Sequence, residues 1–470
     1  MTPARRPFSI ASGSHPRFPN PSELCSIEAM KPPTSSSGPD SAPRFAPRDL
    51  YATMAAAALV GLVGAASSST FRALLFAVKT GVTGHTGGFV QTAEALPWWA
   101  RLLLPAVGGL LAGVVLHSIK RVLPGLSSTD YMEAISVGDG VIRTRPTLLK
   151  ILSALLSLAS GASIGREGPM VQLASMLASV GARWAKLSAP RRRLLVACGA
   201  AAGISSAYNA PIAGALFVAE IVFGSIGMAS FGPLLVSSVT ASLTIRLVLG
   251  TEAPFGTSGF NLVSAWELPA YLALGLVAGA AGPAFLRLLW GSEKAFARLP
   301  FPAYGRLALG GLLVGLISIE CPKVWGNGYS IVNSMLHSEW ALGGLVVVAL
   351  WKLLATSASC GSGAVGGVFT PTLFMGAALG SCVGIPLHAA WPAATGQPQA
   401  YALVGMGCFL AATTRAPLMS IVIVFEMTRN YAIMLPLALA CVVAHFLANA
   451  IDSRSIYSRF LPSNPGAPAG

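Results

Sequence analysis

The chain has 470 residues, of which 54% are hydrophobic and only 10% are Asp, Glu, Lys or Arg. Soluble domains carry about 25% charged residues, so this composition excludes a soluble protein with an ordinary charged surface. The net charge of +14 does not indicate a nucleic-acid binder, because the basic residues cluster at the ends of apolar runs and form no face with interleaved aromatic residues.

The two ends of the chain differ from the rest. Residues 1–46 are rich in Pro and Ser and lack the apolar segment of a signal peptide. We predict that they are disordered, and either Met1 or Met30 fits as the start of the protein. We also expect residues 462–470 to form a tail, with no soluble regulatory domain after the membrane part.

The remaining apolar segments predict a polytopic membrane protein with broken helices. The stretch 353–414 contains no charged residue and is far longer than the about 20 residues that one membrane-spanning helix needs. The 51 glycines and 33 prolines predict many short or interrupted helices. Non-helical backbone persists in a membrane only where protein or a water-filled cavity covers it.

The seven cysteines show no CxxC pair, and most lie inside apolar runs. They predict neither a disulfide framework nor a metal site, and the sequence indicates no cofactor.

Two matched blocks indicate an internal repeat. Gly199–Ile221 aligns without a gap with Gly405–Met427, and the aligned positions include Ala210-Pro211 with Ala416-Pro417 and Glu220 with Glu426. Upstream of each block lies a G-x-x-x-P sequence, at Gly165–Pro169 and at Gly367–Pro371. We predict a first membrane repeat over residues 47–250 and a second over 251–461, since duplicated units with broken helices are typical of transporters.

The G-x-x-x-P sequences predict an anion site. Glycine allows close approach of backbone to a ligand, and proline is well tolerated in the first turn of a helix. The free N–H groups and the dipole at such a helix N-terminus bind anions without a full positive charge. Weak binding of this kind suits an ion that must also leave.

Glu167 lies inside the first G-x-x-x-P sequence. Ionisable residues within a membrane are candidates for function, and this carboxylate would compete with the anion while ionised and withdraw once protonated. From the residues alone, an ion pair between Glu167 and Arg166 that only holds the loop together fits equally well.

The motifs GREGP (Gly165–Pro169), GGVFTP (Gly366–Pro371) and APLMSIVIVFEMTRNY (Ala416–Tyr431), in this order, resemble the CLC family of chloride channels and chloride–proton antiporters, of the prokaryotic type without regulatory domains. The resemblance covers about residues 50–460. It implies an all-α membrane fold of about eighteen tilted helices in two inverted repeats, a homodimer with one pore per subunit, and residence in a bacterial inner membrane.

The resemblance also implies a set of site residues. Glu167 would be the gate and the proton carrier, and the backbone amides of Val368 and Phe369 would hold the central anion. The implied anion-binding residues are Arg166, Gly168, Val368, Phe369, Thr370 and Tyr457. Tyr457 also fits an interfacial aromatic belt.

Two departures from the family pattern affect this expectation. Where the family has GSGIP, this chain has Gly125–Asp130. Ser127, Ser128 or Thr129 would supply the pore hydroxyl, or the same three residues would only cap a helix. Selectivity for chloride over nitrate is therefore open, whereas fluoride specialisation is not favoured.

The second departure concerns protons. Ile221 stands where exchangers of the family often have a second glutamate, and Glu220 is the candidate replacement, although its repeat mate Glu426 favours a structural role for both. Lys150 would either raise the potential of the pore or extend to the interface. Arg415 is expected to bind a carboxylate or carbonyl groups.

The sequence thus predicts chloride transport through a glutamate-gated pore in exchange for protons, with a passive channel as the alternative. An intramembrane enzyme is not favoured, because the histidines are scattered and neither HExxH nor GxSxG occurs. A carrier for an organic substrate is a third class, but bare helix termini suit a small ion better than a large ligand.

Overall fold

The computed structural model describes residues 47–122, 130–250, 254–256, 260 and 262–458. The first half of this part contains nine α-helices: α1 (Pro47–Thr83), α2 (Phe89–Ala95), α3 (Trp98–Val122), α4 (Tyr131–Ser136), α5 (Thr144–Ala159), α6 (Glu167–Trp184), α7 (Ala189–Tyr208), α8 (Pro211–Phe217) and α9 (Met228–Leu249). The second half contains eight: α10 (Leu268–Ala297), α11 (Ala303–Glu320), α12 (Tyr329–His337), α13 (Leu342–Gly361), α14 (Phe369–Ala390), α15 (Pro398–Thr414), α16 (Pro417–Thr428) and α17 (Met434–Ile451).

The fold is that of an integral membrane protein. Eight helices in the described residues are long and apolar enough to cross a membrane. Large apolar side chains lie on the outside of the protein, such as Met228 at 82%, Leu247 at 88% and Phe446 at 68% exposure, and in a membrane they contact lipid. The all-α prediction is confirmed. The predictions for residues 1–46 and 462–470 lie outside the described residues.

The two halves of the chain pack in the same pattern. Helix α1 contacts α7 and α9, and α10 contacts α15 and α17 in the same way. Likewise α6 packs on α7, α14 packs on α15, and α3 packs against α11 between the halves. This order of contacts supports the internal repeat, while the boundary at residue 250 stays a prediction.

The aligned Ala-Pro sequences fold into matching turns. Asn209 at the end of α7 and Arg415 at the end of α15 both adopt the left-handed conformation, with φ of 53° and 63°. Ala210 and Ala416 follow with φ, ψ of −125°, 84° and −122°, 79°. A proline then opens the next helix, where its missing N–H costs little. The repeated Ala-Pro sequences therefore adopt nearly the same backbone geometry.

Glu220 and Glu426 each cap the N-terminus of a helix in the other repeat. Glu220 accepts backbone hydrogen bonds from Leu418 at 3.2 Å and Met419 at 2.7 Å, at the start of α16. Glu426 accepts them from Ile212 at 3.0 Å and Ala213 at 2.9 Å, at the start of α8. A carboxylate at a helix N-terminus satisfies free N–H groups and complements the helix dipole. These contacts agree with the structural role considered for the two glutamates.

Close backbone contact joins α14 to α15. A Cβ atom on Gly376 would lie 2.4 Å from the carbonyl oxygen of Gly405, and one on Gly405 would lie 2.2 Å from that of Gly376. Only glycine fits at both positions. Small residues of this kind drive helix association in membranes, where no hydrophobic effect acts between helices.

Candidate anion pathway

The two G-x-x-x-P loops meet in the middle of the protein. Gly165 and Gly367 form an isolated antiparallel bridge, in which the N–H of Gly165 donates to the Gly367 oxygen at 2.6 Å and the reverse bond is 2.8 Å. This contact fixes the end of the loop before α6 against the end of the loop before α14. The prediction that these two sequences act together is therefore matched by direct contact between them.

Each loop ends in a helix N-terminus. Helix α6 begins at Glu167 and α14 at Phe369, and the first N–H groups of a helix have no partner within it. The chain packs tightly here, since a Cβ atom on Gly168 would lie 3.3 Å from the amide nitrogen of Gly367. The amides of Val368, Phe369 and Thr370 thus lie at the junction of the two loops, as an anion site formed by backbone requires.

The Glu167 carboxylate occupies this junction. The side chain is only 4% exposed. Thr370 donates its hydroxyl to Glu167 Oε1 at 2.5 Å, and the Asn327 amide donates to the same oxygen at 3.4 Å. Oε2 is buried without a hydrogen-bond partner and lies 1.9 Å from where a Cβ atom on Gly165 would be. The carboxylate therefore covers the loop backbone at this junction.

Two further contacts fix these donors. The Tyr208 hydroxyl lies 3.0 Å from Thr370 Oγ1. Asn327 accepts a bond from the Tyr329 amide at 3.2 Å, which orients its side-chain amide toward Glu167. The loop carrying Asn327 is held by the fully buried Lys352, which donates to the Val324 oxygen at 2.9 Å and the Gly326 oxygen at 2.6 Å.

A cavity of about 530 Å³ extends inward from Glu167. It is lined by both loops and also by Asp130, Lys150, Glu293 and Tyr457. The ring of Tyr457 packs edge-on against Phe217, with 5.6 Å between ring centroids. The predicted residues Gly168, Val368, Phe369 and Tyr457 all line this one cavity. Lys150 does so too, which agrees with the pore interpretation of that residue.

The cavity lining includes Lys150 and Ile151 in the first half of α5. The start of α5 meets the end of α6 through a bond of 3.3 Å from Arg183 to Thr144. The α6–α7 turn on that side carries several basic residues: Arg183, Lys186, Arg191, Arg192 and Arg193. The positive-inside rule predicts that this side faces the cytoplasm.

The segment that carries Tyr457 is fixed just after α17. Arg415 donates to the carbonyl oxygens of Ala448 at 3.0 Å and Asp452 at 2.6 Å, which confirms its expected role as a partner for carbonyl groups. The hydrogen-bonded Arg454 guanidinium lowers the pKa of Asp452 to about 2, because it favours the charged carboxylate. The turn therefore carries an ionised Asp452 at any physiological pH.

On the outer side of Glu167, Arg166 lines two smaller cavities. One, of about 150 Å³, also contains Asn327 and Tyr329. The other, of about 120 Å³, contains Arg72 and Tyr208. Arg72 and Arg166 thus place two guanidinium groups beside these cavities, and such groups create a positive local potential. Within the described part of the chain, Arg166 forms no ion pair with Glu167. The geometry therefore does not support an ion pair that only holds the loop together.

The remaining predicted residues lie elsewhere. Ser127, Ser128 and Thr129 lie outside the described residues. The helix that follows them, α4, is capped by Asp130, whose carboxylate accepts from the Met132 amide at 2.9 Å. Glu220 makes its contacts at the start of α16, and Ile221 does not line the cavity.

Sequence reasoning missed Arg72, Tyr208, Asn327 and Glu293. The one signal in the sequence was at Asn327, which stands between two glycines, Gly326 and Gly328. In the structure both glycines have positive φ. Such a turn places a polar side chain in a fixed direction, and an uncharged polar residue there was a candidate for binding.

The hydroxyl of Thr370 offers a test of how Glu167 is held. Thr370→Val keeps the shape but removes the donor to Oε1, so we expect the carboxylate to leave the anion site more readily and chloride efflux from liposomes to rise several-fold. Thr413→Val is the matched control, since that hydroxyl is buried but bonds only within α15. Equal efflux from wild type and Thr370→Val would show that this bond does not hold the gate.

Comparison with known proteins agrees with the geometry. A sequence model of the family described as "Voltage gated chloride channel" matches residues 108–449. A putative ClcB-like chloride channel protein of Ralstonia nicotianae is 54% identical over 415 residues, which are 87% of this chain and 97% of that protein. The voltage-gated ClC-type chloride channel ClcB of Citrobacter koseri is 42% identical over 414 residues, which are 87% of this chain and 98% of that protein.

Solved structures show the same fold. A slow cyanobacterial Cl⁻/H⁺ antiporter matches with a TM-score of 0.77 and 28% identity, over 88% of this chain and 97% of that one. A CLC-type fluoride/proton antiporter matches with a TM-score of 0.72 at 21% identity, over 89% of this chain and all of that one, which supports the fold alone. The paired loops, the buried Glu167 and these matches lead to one conclusion: the chain belongs to the CLC family of voltage-gated chloride channels.

Proposed function

We propose that this protein moves chloride and other small anions across the membrane in exchange for protons, with Glu167 as the gate. The main support for this proposal is the position of the Glu167 carboxylate, which is buried at the junction of two helix N-termini. A carboxylate in an anion-binding position acts as a tethered competitor of the anion. The solved structures that this chain resembles include a Cl⁻/H⁺ antiporter at 28% identity.

The gate follows from competition for the same amides. While Glu167 is ionised, its oxygens occupy the site and accept the Thr370 and Asn327 bonds. Protonation removes the charge that the helix dipoles favour. The side chain then withdraws, and chloride takes its place against the amides of Val368 and Phe369. Helix-terminal binding is weak enough for the ion to move on into the cavity.

Exchange follows from the same step. Each withdrawal of Glu167 requires one proton, and each return releases it. If the proton enters from one side of the membrane and leaves on the other, anion movement in one direction drives protons in the opposite direction. Arg72 and Arg166 at the outer entrance and Lys150 in the inner cavity would concentrate anions on both sides.

A passive chloride channel is the second candidate, because Ile221 interrupts the usual inner proton route and Glu220 is bonded to α16. The relatives are transporters and channels rather than enzymes, so an intramembrane enzyme has no support.

We further propose a homodimer with one pore per subunit. We place it in the inner membrane of a bacterium, since the relatives named above are bacterial. Light scattering of the purified protein tests the dimer.

Radioactive chloride uptake into liposomes tests the transport itself. We expect uptake above that of empty liposomes, competed by excess unlabelled chloride and nitrate. An organic anion that abolishes uptake and is itself accumulated would instead indicate a carrier for that substrate. Uptake no faster than that of empty liposomes, from protein that elutes as a single species, would reject anion transport.

A further inference from the structure

A proton released by Glu167 toward the cytoplasm has to cross the inner half of the protein. The candidate from the sequence, Glu220, has both carboxylate oxygens bonded to α16 amides. Transfer to this group would break the capping of a helix. Ile221, next to it, carries no titratable group. These contacts therefore argue against a proton path through Glu220 and Ile221.

The inner cavity offers another route. Its volume of about 530 Å³ has room for several water molecules, each of which takes about 30 Å³ in the liquid. Its lining includes two carboxylates besides Glu167, namely those of Asp130 and Glu293. Asp130 caps α4 through its bond to the Met132 amide. Glu293 is half-buried near the cytoplasmic end of α10, where it lies between the cavity and the solution.

The position of Glu293 is fixed relative to the anion site. The neighbouring Ser292 donates to the Ser357 oxygen at 2.9 Å and so ties this part of α10 to α13. A Cβ atom on Gly361, at the end of α13, would lie 2.7 Å from Ser292 Oγ. Helix α13 leads directly into the loop that carries Gly367 and Val368. Glu293 is therefore anchored to the element that holds the anion.

We propose that Glu293 is the inner proton acceptor of the exchange cycle, a proposal that rests on the proposed function. The carboxylic acid of Glu167 gives its proton to water in the cavity, a proton passes from that water to the Glu293 carboxylate, and Glu293 releases it to the cytoplasm. No other bond changes. The other charged and titratable groups that line the same cavity are Asp130, Tyr131, Lys150, Cys360 and Tyr457, and Lys294 follows Glu293 on α10.

Lys150 lines the same cavity as Glu293, so one cavity offers a group for each ion. An ammonium group attracts chloride, while a carboxylate beside it attracts protons. One aqueous cavity then serves both ions on the cytoplasmic side, and they separate only at Glu167. A dedicated glutamate at position 221 is not needed.

The test is the proton-to-chloride ratio of Glu293→Gln in liposomes, measured by a pH dye and a chloride electrode together. We expect chloride flux within about threefold of wild type and a ratio at least tenfold lower, because glutamine keeps the shape but accepts no proton. Glu293→Asp should keep most of the coupling, since a carboxylate remains. Glu133→Gln, which removes an exposed carboxylate on α4 outside the cavity lining, should behave as wild type.

Several results would overturn the proposal. One is a proton-to-chloride ratio in Glu293→Gln that equals that of wild type. Another is a loss of coupling in Glu293→Asp and Glu133→Gln as large as the loss in Glu293→Gln. Loss of chloride flux as well as proton flux in both Glu293 variants would mean that the residue holds the pore together. Failure of the proposed function itself is distinct, because wild type would then move no chloride, or no protons with it.

Discussion

Glu167→Ala is expected to move chloride without protons. The substitution removes the only carboxylate that touches the junction of the two G-x-x-x-P loops in the described residues. With no tethered competitor, chloride has continuous access to the amides of Val368 and Phe369. With no titratable group there, protons have no carrier past this point. We expect the proton-to-chloride ratio to fall at least tenfold while chloride efflux stays equal or rises.

The matched control is Glu339→Ala, which removes an exposed carboxylate between α12 and α13. Its fluxes should equal those of wild type. Both variants are followed by a pH dye and a chloride electrode in the same liposomes. Proton coupling that survives in Glu167→Ala would exclude this residue as the proton carrier. An equal loss of proton coupling in Glu339→Ala would mean that the effect comes from removing a negative surface charge.

Gly376→Ala is expected to destabilise the protein markedly. The added Cβ would lie 2.4 Å from the Gly405 oxygen and 2.8 Å from Met406 Cα. Both are backbone atoms of α15 that cannot move without moving the helix. Overpacking of this kind costs about 1–3 kcal/mol. Because α14 begins at the anion site, its displacement should also slow chloride flux.

Gly343→Ala is the control for this experiment. It makes the same change in a helix, α13, but its Cβ would meet nothing within 4 Å. Thermal unfolding in detergent is the measurement, with a lower melting temperature expected for Gly376→Ala and no decrease for Gly343→Ala. Equal melting temperatures for wild type and Gly376→Ala would mean that α14 and α15 are not held at this distance.

Much of the site could be predicted because its elements are local in sequence. A glycine, a proline four residues later and a lone glutamate between them indicate a loop, a helix start and a gate. The repeat placed the second loop opposite the first, as the bridge between Gly165 and Gly367 bears out. The matching turns at Asn209 and Arg415 likewise follow from the repeated Ala-Pro pair.

The partners of Glu167 could not be predicted in the same way. Asn327 reaches Glu167 from the loop before α12, and Tyr208 reaches Thr370 from the end of α7. No spacing along the chain links either residue to Glu167. Glu293 lies in the last turns of the long helix α10, at a helix end where a glutamate ordinarily faces water. Only the packing of α10 on α13 brings it to the cavity. The proposed proton route therefore depends on tertiary contacts, which spacing along the chain does not predict.

The measurement that tests the account most directly is simultaneous chloride and proton flux from liposomes that contain the wild-type protein. A chloride gradient should drive protons uphill, and the voltage at which net flux reverses should depend on both gradients. Chloride flux that reverses at the chloride equilibrium potential, with no linked proton movement, would contradict the exchange mechanism. It would make this protein a passive channel.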